Sequence, residues 1–229
     1  MRTAGERRDI VITIDGPAGA GKSTVAAALA RRLGFTLIDT GALYRGLAWA
    51  AREAAVPLED GPALRGLLDR TSVRLDGERV LVDGRDVTGD IRSPAISQLT
   101  SRLTTLAPVR DKMTPIQRSL AAPGAAVLEG RDTGSVVWPE AEVKFYLDAD
   151  LDTRARRRRD DLAARGIETG LETVRDDIAR RDRQDMERAL APLVKPEGAV
   201  VVDTTGLGVA EVVDTLLRVV EQTRCCTRS

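Results

Sequence analysis

The chain has 229 residues, 42% of them hydrophobic, and Lys+Arg and Asp+Glu each number 35, so the formal net charge is zero. That length suits one α/β domain with an insert, or two small lobes; the charge balance gives no bulk attraction to nucleic acid or membrane, and neither is expected as a partner. Histidine is absent, which excludes every His-based triad, zinc site and general base.

No apolar run approaches the roughly 20 residues of a spanning helix, and the short, polar, basic N-terminus does not read as a secretory signal. Only Lys22, Lys112, Lys144 and Lys195 are lysines. Nearly all the positive charge is therefore arginine, whose planar fork matches phosphate oxygens two at a time. For most of these arginines a GC-rich genome is the better explanation. Cys225 and Cys226 are neighbours, a spacing that neither closes a disulfide readily nor holds a metal, so a reduced, cytoplasmic setting is expected.

Taken in chain order, Ile10–Ile14 is an apolar, β-branched run that predicts a buried strand ending at Asp15. A Gly-rich turn follows, then an Ala-rich helix from Ser23 to Leu33 that Gly34 closes. Phe35–Ile38 reads as the next strand, which makes a βαβ unit. Between Ser72 and Val87, two Asp-Gly pairs separate short apolar runs and predict antiparallel hairpins. This small insert covers residues 58–92. Ser93-Pro94 then opens a helix, with Ser as its cap and Pro in its first turn. Ala126–Leu128, Val143–Leu147 and Val200–Val202 read as further buried strands separated by helical patterns. The fold class expected is α/β, a parallel sheet covered by helices on both faces, with an antiparallel insert.

Gly16-Pro17-Ala18-Gly19-Ala20-Gly21-Lys22-Ser23 matches the phosphate-loop pattern G-x-x-x-x-G-K-[ST] at every fixed position, with a strand before it and a helix after it. The backbone N–H groups of such a loop and the positive end of the helix cradle phosphate oxygens. Lys22, taken as a surface-loop charge, would reach the β- and γ-phosphates of ATP, and the Ser23 hydroxyl would ligate Mg²⁺. Thr24 completes the donor set. The alternative is a Gly-rich turn with an incidental lysine. A GTPase switch would need a guanine-reading N-K-x-D element, and the chain has no asparagine. A small-molecule kinase then remains by fold-level analogy.

Three further clusters are candidates for an acceptor site. Asp39-Thr40-Gly41-Ala42-Leu43-Tyr44-Arg45 follows a strand, as does Gly130-Arg131-Asp132-Thr133-Gly134; such strand ends face the ligand crevice of open α/β sheets. Arg181, Asp185 and Arg188 share one face if helical, and a solvated salt-bridge face explains them equally well. On the predicted helix after Asp150 lie Arg154, Arg156, Arg157, Arg158 and Arg159. They read as an arginine-rich lid over the triphosphate rather than a nucleic-acid patch, because no aromatic residue interleaves with them.

Together these residues resemble the bacterial cytidylate kinases. The resemblance rests on Ile-Asp-Gly-Pro-Ala-Gly-Ala-Gly-Lys-Ser-Thr from Ile14, Asp-Thr-Gly-Ala-Leu-Tyr-Arg from Asp39, and Glu-Gly-Arg-Asp-Thr-Gly-Ser-Val-Val-Trp-Pro from Glu129. Lys-Phe-Tyr-Leu-Asp-Ala from Lys144, Arg-Asp-x-x-Asp-x-x-Arg from Arg181, Ala-Pro-Leu from Ala191 and Asp203-Thr204-Thr205 complete the set, so it spans about Ile10 to Leu217. It implies a kinase that moves the γ-phosphoryl of ATP to CMP or dCMP. Arg45 and Arg131 would hold the acceptor phosphate, with Thr40 beside them. Ser101, Arg110, Asp132 and Arg188 would read the cytosine and its surroundings, and Arg181 and Asp185 would contact the sugar; their helical spacing lets Asp185 also accept from Arg181. Lys22, Arg131, Arg157 and Arg158 would surround the moving phosphoryl group. The resemblance also implies one kinase domain with its core in residues 10–57, 93–149 and 185–229, a monophosphate-binding insert at 58–92 and a lid at 150–184. A monomer is expected.

Overall fold

The computed structural model describes residues 9–227; the basic N-terminal residues 1–8 and the side chain of Cys226 lie outside what it describes. Five parallel strands form the main sheet. They are β1 (Val11–Asp15), β2 (Thr36–Asp39), β6 (Ala126–Glu129), β7 (Val143–Asp148) and β8 (Val200–Asp203), in the spatial order β2-β6-β1-β7-β8. β1 is central, pairing in parallel with β6 on one side and β7 on the other. Its five residues are all buried, which is why the run is continuously apolar rather than alternating.

Side chains alternate across the sheet. Ile12 and Ile14 of β1, with Phe145 and Leu147 of β7, pack against Val25 and Leu29 of α1 (Lys22–Leu33) and Val213 and Leu216 of α8 (Val209–Thr227). Val11, Ile38 and Leu128 face the other way, onto Ala121 of α5 (Ala107–Ala121) and Trp138. Both faces are thus covered by helices, as the alternation of strand and helix in the sequence predicts.

The insert is a three-stranded antiparallel sheet, β3 (Val73–Asp76), β4 (Arg79–Val82) and β5 (Arg85–Asp86). Gly77 and Gly84 of the Asp-Gly pairs take φ of 59° and 84°, the left-handed geometry for which tight hairpin turns select glycine. The insert also holds a helix that the sequence reading did not separate, α3 (Pro62–Arg70), with Pro62 in its first turn and Leu64, Leu67 and Leu68 buried. The insert sheet rests on α2 (Thr40–Glu53), and Gly46 lets the two approach closely. A Cβ there would lie 3.0 Å from a methyl of Val80, 3.1 Å from Val73 and 3.3 Å from Val82. Gly46→Ala is therefore expected to lower stability by about 1–3 kcal/mol through overpacking, read as a lower denaturation midpoint with an unchanged slope.

α4 (Pro94–Leu103) follows the insert, with the Ser93 hydroxyl accepting from the Ile96 N–H as the sequence predicts. α6 (Leu151–Ala163) and α7 (Leu171–Glu187) form a helical hairpin whose own small core joins Ala155, Leu162, Val174 and Ile178 to Ala18 of the phosphate loop. The boundary drawn at residue 184 falls inside α7.

Candidate active site

The C-terminal ends of β1, β2 and β6 open onto one cleft of about 900 Å³, walled by the phosphate loop, α2, α4, the turn after β6, α6 and α7. The loop contributes Ala18 through Thr24 to this wall. Gly16 and Pro17 lie behind it. Gly16 has φ +146° and lets β1 pass so close to β7 that a Cβ would fall 1.9 Å from the Leu147 carbonyl oxygen; its role is to shape the loop rather than to line the cleft. α1 begins at Lys22, so the helix N-terminus and its partial positive charge sit at the base of the loop.

Lys22 is not the surface charge the motif suggests. It is 4% exposed; its ammonium donates to the Pro17 carbonyl at 2.7 Å and stands 4.0 Å from the Glu129 carboxylate. Burial, followed by repulsion from Arg131, draws its pKa down to about 7, against the pull of Glu129. Burial, followed by the charge of Asp39, pushes the Glu129 carboxyl above the ordinary carboxylate range.

The acceptor-side candidates are gathered around the turn after β6. Asp39 caps α2, accepting from the Ala42 N–H at 2.7 Å, and pairs with Arg45 at 3.0 Å. The Thr40 hydroxyl donates to the Glu129 carbonyl at 2.8 Å, which fastens α2 to β6. Arg131 donates from Nε to Asp185 at 3.2 Å. Arg110 is paired with Asp132 and also donates to the Thr104 carbonyl at 3.3 Å. Arg188 stands 3.5 Å from Asp132 and 3.6 Å from Asp185. Two carboxylates, Asp132 and Asp185, thus hold three buried or half-buried guanidinium groups, those of Arg110, Arg131 and Arg188, and Arg181 is buried beside them. Burial, followed by repulsion from Arg131, lowers the Arg181 pKa to about 10. Among the described residues, Ser101 Oγ, Arg45 Nε, Arg181 Nε and Tyr44 Oη are buried without a hydrogen-bond partner. Buried polar atoms of that kind mark where a polar ligand completes the network.

One cleft thus presents the phosphate loop and, along the same wall, the guanidinium groups of Arg45 and Arg131. The comparisons with known proteins bear on which chemistry that is. A family model described as cytidylate kinase matches residues 12–222. The cytidylate kinase of Symbiobacterium thermophilum is 49% identical over 216 residues, covering 92% of this chain and 96% of that one.

The chain belongs to the cytidylate kinase family.

The cytidylate kinase of Carboxydothermus hydrogenoformans is 46% identical over 213 residues, covering 91% of this chain and 96% of that one. Among solved structures, an uncharacterized protein from Eubacterium ventriosum shares the fold, with a TM-score of 0.54 at 13% identity over 94% of this chain and 99% of that one.

Within the family frame, several side chains sit differently from the sequence expectation. Asp185 does not accept from Arg181; its carboxylate is taken by Arg131 and Arg188. Arg188 lies just past α7, at its C-cap, not on the helix face. Of the five arginines expected over the triphosphate, Arg157 and Arg158 line the cleft, whereas Arg154, Arg156 and Arg159 do not. Arg157 is itself tied down, donating to the Thr204 hydroxyl at 2.9 Å and the Thr204 carbonyl at 2.7 Å. Arg154 is turned inward, and Arg159 pairs with the exposed Asp160 at 2.8 Å. An α-helix presents only a third of its residues to any one side, so a run of four arginines cannot all reach one ligand.

Sequence reasoning gave no role to Asp15, Glu129 or Asp182. Asp15 is fully buried and accepts from the Thr133 N–H at 2.8 Å, the Thr133 hydroxyl at 2.8 Å and the Gly134 N–H at 2.7 Å. It thereby ties the strand before the phosphate loop to the turn that carries Arg131 and Asp132. The signal available was a carboxylate ending each of two neighbouring buried strands, Asp15 on β1 and Glu129 on β6, since buried acids persist only with partners.

Proposed function

We propose that this chain transfers the γ-phosphoryl group of ATP to CMP or dCMP, giving ADP and CDP or dCDP. The observation that carries this reading is the continuity of one cleft from the phosphate loop, past Arg45 and Arg131, to the Ser101, Arg110 and Asp132 group. Family membership supports the acceptor.

ATP would lie on Ala18–Thr24, with Lys22 leaving the Pro17 carbonyl to reach the β- and γ-phosphates. The lowering of the Lys22 pKa by burial would be offset by an anion beside it, which favours the charged ammonium where charge is needed. Arg45 and Arg131 would hold the acceptor phosphate, and Asp185 would aim Arg131 at it. Arg181 would face the sugar directly, its Nε being without a partner, while Ser101, Arg110, Asp132 and Arg188 would read the base. The attacking group is a phosphate oxygen, already anionic near neutral pH. The transfer therefore needs alignment and charge compensation rather than a strong base, which suits a chain without histidine. Arg157 and Arg158 would supply compensation from the lid side, and closure of the α6–α7 hairpin would exclude water.

Mg²⁺ fits the residues present. Ser23 offers an exposed hydroxyl at the end of the loop, inside the cleft wall, and a cation held mainly by phosphates and waters needs only one or two protein oxygens. Bound there, it would neutralise the β- and γ-oxygens.

The described residues include no helix long and apolar enough to cross a membrane. A cytoplasmic monomer is the state we propose, where ATP and nucleoside monophosphates are both at hand; gel filtration tests the monomer.

Cytosine presents an exocyclic amine donor where uracil presents an acceptor, and a site built around one pattern leaves buried groups unsatisfied by the other. In an assay of ADP release with each monophosphate in turn, CMP and dCMP are expected to be good acceptors, UMP clearly poorer, and AMP and GMP nearly inert. Equal specificity constants for CMP and AMP would overturn the acceptor assignment.

A further inference from the structure

We infer that Asp182 is a positioning residue for the phosphate loop: it fixes the Pro17–Ala18 peptide and through that peptide the resting place of Lys22. The inference rests on the donor reading above and concerns a side chain that is not part of the cleft lining.

The geometry is closed on both sides of one peptide group. The Ala18 N–H donates to Asp182 Oδ1 at 2.9 Å. On the same peptide the Pro17 carbonyl accepts from the Lys22 ammonium at 2.7 Å. A carboxylate at the N–H and an ammonium at the C=O polarise the peptide in the same sense, so each bond strengthens the other. The next peptide is held as well, because Arg154 donates to the Ala18 carbonyl at 3.0 Å while its guanidinium is paired with Asp182. Arg154 also donates from Nε to the Ala149 carbonyl at 2.9 Å, anchoring the grip where α6 begins. Asp182 and Arg154 are 5% and 9% exposed, so neither is a solvated surface pair. The loop is seated directly on this turn: a Cβ at Gly19 would lie 2.8 Å from the Arg154 carbonyl oxygen.

A carboxylate buried merely to pair with Arg154 would not need to occupy the Ala18 N–H. In a phosphate loop the successive N–H groups turn inward toward the ligand. Asp182 holds this one turned outward, and so sets the curl from which Ala20, Gly21 and Lys22 face the cleft. α7 thereby touches both halves of the site, the donor loop through Asp182 and the acceptor side through Arg181 and Asp185.

Asp182→Asn keeps an oxygen for Ala18 but loses the charge. Arg154→Met/Asp182→Leu removes the whole grip while leaving no buried ion unpaired, a replacement that buried pairs tolerate. Thermal midpoint, ATP affinity by titration, and kcat and KM for each substrate are measured on both. Because small misplacements of reacting groups cost up to about 100-fold in rate, a fall in kcat of about tenfold or more is expected in both variants. ATP binding should weaken in parallel, with CMP affinity within about twofold of wild type, even where the paired variant matches the wild-type midpoint. A stable variant with wild-type kcat and ATP affinity would overturn the inference and leave the pair a matter of stability alone. In the unaltered protein, the Ala18 amide is expected to exchange with solvent far more slowly than those of Gly19 and Gly21; equally fast exchange would overturn it without any substitution. If the wild type proved inactive toward CMP, the acceptor reading would fall, while the ATP titration and the amide exchange would still decide the role of Asp182.

Discussion

Lys22→Ala is expected to reduce turnover to assay background while the protein stays folded. Loss of a single preorganised donor at a developing charge costs about 10²–10³ in rate, and Lys22 would carry the β- and γ-phosphates together. Its burial makes the survival of the fold less obvious than for a surface lysine. Removing it leaves Glu129 inside without its neighbouring ammonium. Glu129 can respond by taking up a proton, because burial already raises its pKa, and a neutral carboxyl costs far less inside a protein than an unpaired carboxylate. The check is a far-UV spectrum and thermal midpoint alongside kcat. Near-wild-type activity in folded Lys22→Ala would contradict the phosphate-loop reading.

Asp185→Ala is the second large effect. Asp185 is 4% exposed, with Arg131 Nε at 3.2 Å and Arg188 at 3.6 Å. Deleting the carboxylate frees Arg131 to turn away from the acceptor phosphate and sets it against Arg181 and Arg188 with less opposing charge. The specificity constant for CMP is expected to fall by about 100-fold, while ATP affinity, read by titration, stays within about twofold. Breaking a buried pair from one side also costs about 3–5 kcal/mol of stability, so the midpoint should drop as well. A solvated helix-face salt bridge would give about 0–1 kcal/mol and normal kinetics; that result would return Asp185 to a surface role.

The parts of this molecule written most clearly in the sequence are those fixed by short-range rules. Val11–Asp15 reads as a strand because both its faces are covered. The phosphate loop reads from its spacing, and the insert hairpins from Asp76-Gly77 and Asp83-Gly84 at their turns. α3 was missed because Pro62–Arg70 is short and follows a loop of similar composition. The partners of the charged residues were harder, since helical spacing finds neighbours only along one helix. It pairs Asp185 with Arg181 and Arg188; Arg188 is indeed a partner, but the other, Arg131, arrives from the turn after β6, 54 residues earlier in the chain. For the same reason Arg154 looks like one more lid arginine until the phosphate loop is seen to rest on it. Burial of Lys22 is invisible for a related reason: the Glu129 carboxylate beside its ammonium comes from another strand, β6.

The most direct test of the account follows the phosphoryl group itself. Protein is mixed with CMP and ATP labelled at the γ-phosphate, and the labelled products are separated. The label is expected in CDP, at a rate equal to ADP release and with little free phosphate, because closure of the α6–α7 hairpin would exclude water. Label appearing only as inorganic phosphate, or none transferred to CMP while another monophosphate accepts it, would contradict the account.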